Sequence, residues 1–198
     1  ARVDMLALLL AYSGVALFLM RPWSGRAQAA SAALLVLGCY TKQTMAVPSL
    51  VCLLAVCLLD RRAALRFAAW LLALGLPPLV WLAAATHGGF LLNITAYNVN
   101  PVNWARLWPH LSLLLNNCGP QLALGAGAAA VLAWRCRRRP LAALRHSDFG
   151  RASLVFSLLF GLAALESLGI VKEGGNINYF LELLVTGGVL SGLLLAWL

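Results

Sequence analysis

Long apolar runs, separated by short polar and basic clusters, set the pattern of this chain. Seven runs stand out, at 4–20, 27–41, 44–59, 66–86, 108–134, 152–171 and 178–198. A helix needs about 20 apolar residues to cross about 30 Å of hydrocarbon. The pattern predicts an all-α, polytopic transmembrane helical bundle, a single transmembrane domain over 1–198 with about seven membrane segments. The stretch 27–59 has 33 residues between two basic clusters. One helix of that length would reach about 50 Å and end on the wrong side. It is expected to be a hairpin turning near Lys42, with arms of about 15 residues that are short for a full crossing. The turn Tyr40-Thr41-Lys42-Gln43-Thr44 is then drawn to the membrane interface or below it. Pro77-Pro78 and Gly119-Pro120 predict bent helices. The stretch 87–107 reads as an interfacial segment, with Trp104 and Trp108 as belt residues.

Composition sharpens this picture. Apolar residues make up 62% of the chain and charged residues 11%, against about 45–50% and about 25% in an average soluble domain. A soluble fold has no means of hiding so much apolar surface, and a disordered chain would not carry it. The net charge of +9 would suggest nucleic acid in a soluble protein. Here no nucleic-acid partner is expected, because eleven of the fifteen Lys and Arg residues fall in three loops, at 21–26, 60–66 and 135–151. Arg2, Lys42, Arg106 and Lys172 fall in the other turns. Seven alternating crossings place the three Arg loops on one side, which the positive-inside rule makes cytoplasmic. The chain starts at Ala1 rather than Met and stops inside an apolar run, so it is expected to be an interior piece of a longer protein. Its five cysteines form no C-x-x-C and read as small core side chains.

The candidate chemistry lies on the opposite, outer side. Lys42 is either a snorkelling cation or the partner of an anionic lipid head group, and its short hairpin favours the second. Near the last run, Gly174-Gly175 can form an anion-binding turn, the following helix start presents its positive end, and Lys172 adds a full charge. Together these suit a phosphate or pyrophosphate, although a plain Gly-Asn turn between helices fits the same residues. Arg2 with Asp4 precedes the first run. The outer loop carries Tyr97-Asn98-Val99-Asn100-Pro101. Glu182 favours the start of its own helix, whereas Glu166, inside an apolar run, pairs with a cation or stays protonated. Gly188 and Gly192 form a G-x-x-x-G pair expected to pack helices closely. No metal-ligand spacing and no nucleotide loop occurs, so no metal and no cofactor is predicted.

At these clusters the sequence resembles a known group. Arg2-Val3-Asp4, Thr41-Lys42-Gln43, the Asn98–Pro101 loop, and Lys172 followed by Asn176–Glu182 resemble bacterial family-39-type membrane glycosyltransferases of the GT-C fold. These are similar to protein mannosyltransferases and to the lipid A aminoarabinose transferase. The resemblance implies a multi-pass enzyme of the bacterial cytoplasmic (inner) membrane, active on its outer face. It would transfer a hexose or pentose from a polyprenyl-phosphate donor to a lipid, glycan or protein. Its general base is expected in an outer loop upstream of Arg2, so this chain alone is expected to be inactive. Donor-phosphate contacts would come from Lys42, Lys172, Gly174, Gly175 and Arg2. Sugar or acceptor contacts would come from Gln43, Tyr97, Asn98, Asn100, Asn176, Asn178, Tyr179 and Glu182. The partners implied are the polyprenyl-linked sugar and the bilayer. The competing reading is a transporter or flippase for a lipid-linked or anionic substrate, using the same cations and bent helices.

Overall fold

The computed structural model describes residues 2–96, 100–172 and 177–198, the side chain of Arg2 excepted. The chain is all-helical, with no strand among the described residues. The long helices are α1 (Arg2–Met20), α2 (Gly25–Thr41), α3 (Ala46–Leu59) and α4 (Arg61–Ala85). A short α5 (Gly89–Thr95) leads to α6 (Leu107–Arg137), a short α7 (Leu141–Arg145), α8 (Asp148–Ser167) and α9 (Leu181–Trp197). Tight 3-10 turns cover Gln43–Met45, Trp104–Arg106, Leu168–Val171 and Ile177–Phe180.

Each of the seven apolar runs is helical. Among the described residues, four stretches are long and apolar enough to cross a membrane: Val3–Met20, Arg61–Ala85, Asp148–Val171 and Ile177–Trp197. The hairpin expected at 27–59 is present. α2 has 17 residues and α3 has 14, so the arms reach about 26 Å and about 21 Å at about 1.5 Å per residue. Lys42 sits at the turn in extended backbone, and its N–H closes the last bond of α2 on the Gly38 carbonyl. α6 is longer, but Asn116, Asn117 and Gln121 dilute its apolar character.

Caps explain where two helices begin earlier than their apolar runs. The Asp60 carboxylate accepts from Arg62 N and Ala63 N at 2.9 and 3.1 Å, which starts α4 at Arg61. The Ser147 hydroxyl accepts from Gly150 N at 3.0 Å and starts α8 at Asp148. Such caps satisfy donors that no helical carbonyl reaches. Pro77 and Pro78 stay inside a single helix, α4. Gly75 lies in the turn before them, and its carbonyl accepts from the Tyr40 hydroxyl at 2.7 Å.

The core runs between α1–α4, α6, α8 and α9, around Phe67, Val15, Val51, Cys52, Leu132, Leu159 and Leu190. Phe18 and Phe67 stack at 5.2 Å between centroids. α6 and α9 cross closely through Gly125 and Gly187. A Cβ on Gly125 would stand 2.7 Å from Gly187 Cα. The expected pair, Gly188 and Gly192, does not make this contact: a Cβ on Gly192 meets nothing within 4 Å, and one on Gly188 meets only Gln121 at 3.9 Å. The motif had the right helix but the wrong face, one residue off.

The three Arg loops meet at one end of the bundle. Arg66 donates to Gln28 Oε1 and to the Trp23 carbonyl, both at 2.7 Å. Arg145 reaches Asp60 at 2.6 Å and lies 5.0 Å from the Trp23 ring. At the other end, the stretch after α5 folds against the α8–α9 connection. Val102 bridges Lys172, and Asn103 N donates to the Val171 carbonyl at 2.8 Å. Trp104 and Trp108 are 65% and 70% exposed.

Candidate functional site

The site is assembled at the end opposite the Arg loops, from three chain segments far apart in sequence. α1 supplies Asp4, the α2–α3 turn supplies Lys42, and the turn before α9 supplies Asn178 and Tyr179. Lys42 Nζ lies 2.8 Å from Asp4 Oδ1. Asn178 Nδ2 donates to the other Asp4 oxygen at 2.7 Å. Lys42 Nζ also stands 5.9 Å from the centre of the Tyr179 ring. The Lys42 and Asp4 side chains are 23% and 14% exposed. The cation is therefore neither buried nor free in water, but fixed at the mouth of the bundle.

Local packing explains the fixation. The Tyr179 ring lies against Gly169, where a Cβ would stand 2.5 Å from Tyr179 Cε1. Only glycine leaves room for the ring there. Ser167 Oγ donates to the Tyr179 carbonyl at 3.3 Å, tying the turn to the end of α8. Close to Lys42 lies a second group of polar atoms. The Glu182 and Glu166 carboxyls lie near each other, and both lie in the field of Lys42. The Thr44 hydroxyl approaches Glu166, and Tyr12 lies near both acids. Glu166 Oε2, Glu182 Oε2, Thr44 Oγ1 and Tyr12 Oη are buried and make no hydrogen bond of good geometry among the described residues.

Beside the turn lies an apolar groove of about 390 Å³ between α2, α3, α4 and α5. Tyr40, Gln43, Leu72, Leu76, Phe90 and Ile94 are among its walls. Gln43, the residue after Lys42 in the chain, is one of its lining residues.

Of the residues singled out from sequence, Lys42, Asn178 and Tyr179 are brought together. Glu182 is 5% exposed and turns toward Glu166 instead of the surface. Gln43 lines the groove. Lys172 is exposed, and its carbonyl accepts from Arg106 Nη1 at 2.5 Å. Asn100 is exposed in the loop that leads to the Val102–Lys172 bridge. Tyr97, Asn98, Gly174, Gly175, Asn176 and the Arg2 side chain lie outside the described residues. Among the described residues, no group of three or more His, Cys, Asp or Glu is placed to hold a metal ion. The residue that sequence undervalued is Asp4, which orients both Lys42 and Asn178.

Comparison with known protein families, curated proteins and solved structures found no match.

Proposed function

We propose that this chain is part of a membrane glycosyltransferase of GT-C type, which moves a sugar from a polyprenyl-phosphate donor to a lipid, glycan or protein acceptor at the outer face of the membrane. In this reading all seven long helices are membrane segments, and the Arg loops face the cytoplasm. The supporting observation is the Lys42 cation, held at the bundle mouth by Asp4 and Asn178 and adjoining the apolar groove. A polyprenyl phosphate has the same two parts, an anion and a long apolar tail.

Breaking the sugar–phosphate bond builds charge on the departing phosphate. A preorganised cation at that point lowers the barrier. Lys42 takes this role, exchanging part of its contact with Asp4 for a phosphate oxygen. Asn178 then offers amide hydrogen bonds to sugar hydroxyls, and the Tyr179 ring a stacking face. The groove lined by Leu72, Leu76 and Phe90 takes the first isoprene units. In this reading Lys172 adds a second cation for the donor phosphate.

The test is sugar transfer by the full-length protein in nanodiscs, with a labelled polyprenyl-phosphate sugar. Lys42→Ala is expected to lower turnover about 30- to 160-fold, the effect of losing about 2–3 kcal/mol of charge-assisted stabilisation. Unchanged turnover would overturn the assignment. One observation favours a second reading. The neighbouring Glu166 and Glu182 carboxyls, within apolar helices, resemble a proton-binding site of a transporter. Flux of a lipid-linked anion into proteoliposomes, driven by a pH gradient and lost in Glu182→Gln, would select transport over transfer.

A further inference from the structure

The end of the bundle opposite Lys42 carries Arg135, Arg137, Arg138 and Arg139 close together in sequence. Two acids at that end already have partners: Asp60 pairs with Arg145 and Asp148 with Arg151. The Arg135 guanidinium is clamped between rings, 4.4 Å from Trp197 and 5.7 Å from Phe149. Its Nη1 is nevertheless buried and makes no hydrogen bond among the described residues. Ser153 is 1% exposed, and its Oγ is likewise buried without a partner. Both residues line one small cavity, together with Arg139, Cys136, Leu144 and Gly150.

A buried guanidinium N–H without an acceptor is costly, and so is a buried hydroxyl. Arg135 can only donate, and Ser153 has a proton to donate. The missing partner is therefore an acceptor, and an anionic oxygen suits a guanidinium best. Size limits the choice further. The cavity holds about 10 Å³, close to the room that one oxygen-sized atom needs. A whole phosphate does not fit inside, but one phosphate oxygen does, and Arg139 is among the lining residues. Trp134 and Trp197 flank this level, 55% and 43% exposed. Arg138 lies 3.7 Å from the Trp134 ring. Exposed tryptophans stacked with arginines mark the head-group level of a bilayer.

We propose that Arg135, Arg139 and Ser153 form a binding site for the phosphate of an anionic phospholipid in the leaflet that contacts the Arg loops. The lipid supplies the oxygen that Arg135 Nη1 and Ser153 Oγ lack, and its tails lie along α6 and α9. The site is separate from the Lys42 cluster and does not depend on glycosyl transfer.

The experiment is native mass spectrometry of the full-length protein, released from nanodiscs of equimolar phosphatidylglycerol and phosphatidylcholine. Wild type is expected to retain phosphatidylglycerol selectively. Ser153→Ala keeps every charge and removes one hydroxyl, so its melting temperature in pure phosphatidylcholine should match or exceed wild type. Its retention of phosphatidylglycerol should fall about tenfold, the loss of one hydrogen bond to a charged group. Arg135→Gln with Arg139→Gln should abolish selectivity. Equal retention of the two lipids by wild type, or unchanged retention in Ser153→Ala, would overturn the proposal. So would equal stabilisation by inorganic phosphate in pure phosphatidylcholine, which would make this a free-anion site.

Discussion

Asp4 organises the candidate site more than any other residue. One of its oxygens meets Lys42 and the other accepts from Asn178, so a single carboxylate sets the positions of a cation and an amide from two distant segments. Gly169 acts with it, by making room for the Tyr179 ring. Gly169→Ala should push that ring aside and weaken binding of a polyprenyl-phosphate sugar, while far-ultraviolet circular dichroism of the helices stays unchanged. Equal affinity in this variant would remove Tyr179 from the site. The importance of Lys42 was legible in sequence because a cation in a short apolar hairpin is costly unless something holds it. The role of Asp4 was not, because nothing in a linear pattern tells an α1 acid that its partner lies 38 residues away at a turn.

Helix ends and helix contacts obey simpler rules. The seven helices were legible as apolar runs, and the turn at Lys42 followed from length alone. The start of α4 was not, because a cap depends on one side chain and not on periodicity. Asp60 has its carboxyl held below the usual range, chiefly by the Ala63 N–H and also by the Arg145 charge. A lowered value in the folded state gives stability that is present above the unfolded value, about 3.9, and lost as pH falls through the lowered one. Asp60→Asn keeps a capping side chain but loses the charge. Its melting temperature should lie below wild type at pH 7, and the gap should close as pH falls below about 4. A gap independent of pH would contradict this. The α6–α9 contact was misplaced by sequence because G-x-x-x-G spacing shows which glycines share a face, not which face meets a neighbour. Gly125→Val should destabilise the bundle by about 2 kcal/mol through overpacking, whereas Gly192→Ala should be neutral. Thermal unfolding in detergent distinguishes the two, and equal melting temperatures would refute the crossing.

At the scale of the whole molecule, charge and polarity are sorted between two ends. The Arg loops gather at one end, with Asp60 and Asp148 paired and with Trp134 and Trp197 exposed. Lys42, Asp4, Asn178 and Tyr179 gather at the other, with the groove beside them. α4 forms much of the apolar exterior, exposing Leu65, Trp70, Leu72, Leu76, Val80 and Trp81. Such a surface is tolerable in a bilayer and a liability in water. Replacing Arg137, Arg138 and Arg139 with Gln should disturb insertion, read as altered accessibility of single cysteines placed at Asn103 and at Arg145. The Lys42 cluster should keep its geometry wherever the protein does insert correctly.

The central claim is that Lys42 is the anion-binding group of a lipid-phosphate site. Its most direct measurement is equilibrium binding of a polyprenyl-phosphate sugar to the full-length protein in nanodiscs, comparing wild type with Lys42→Ala and Lys42→Arg. The account predicts affinity about thirtyfold weaker in Lys42→Ala, equivalent to about 2 kcal/mol, and partly restored in Lys42→Arg. Equal affinity in all three proteins would contradict it, and would leave Lys42 as a structural partner of Asp4.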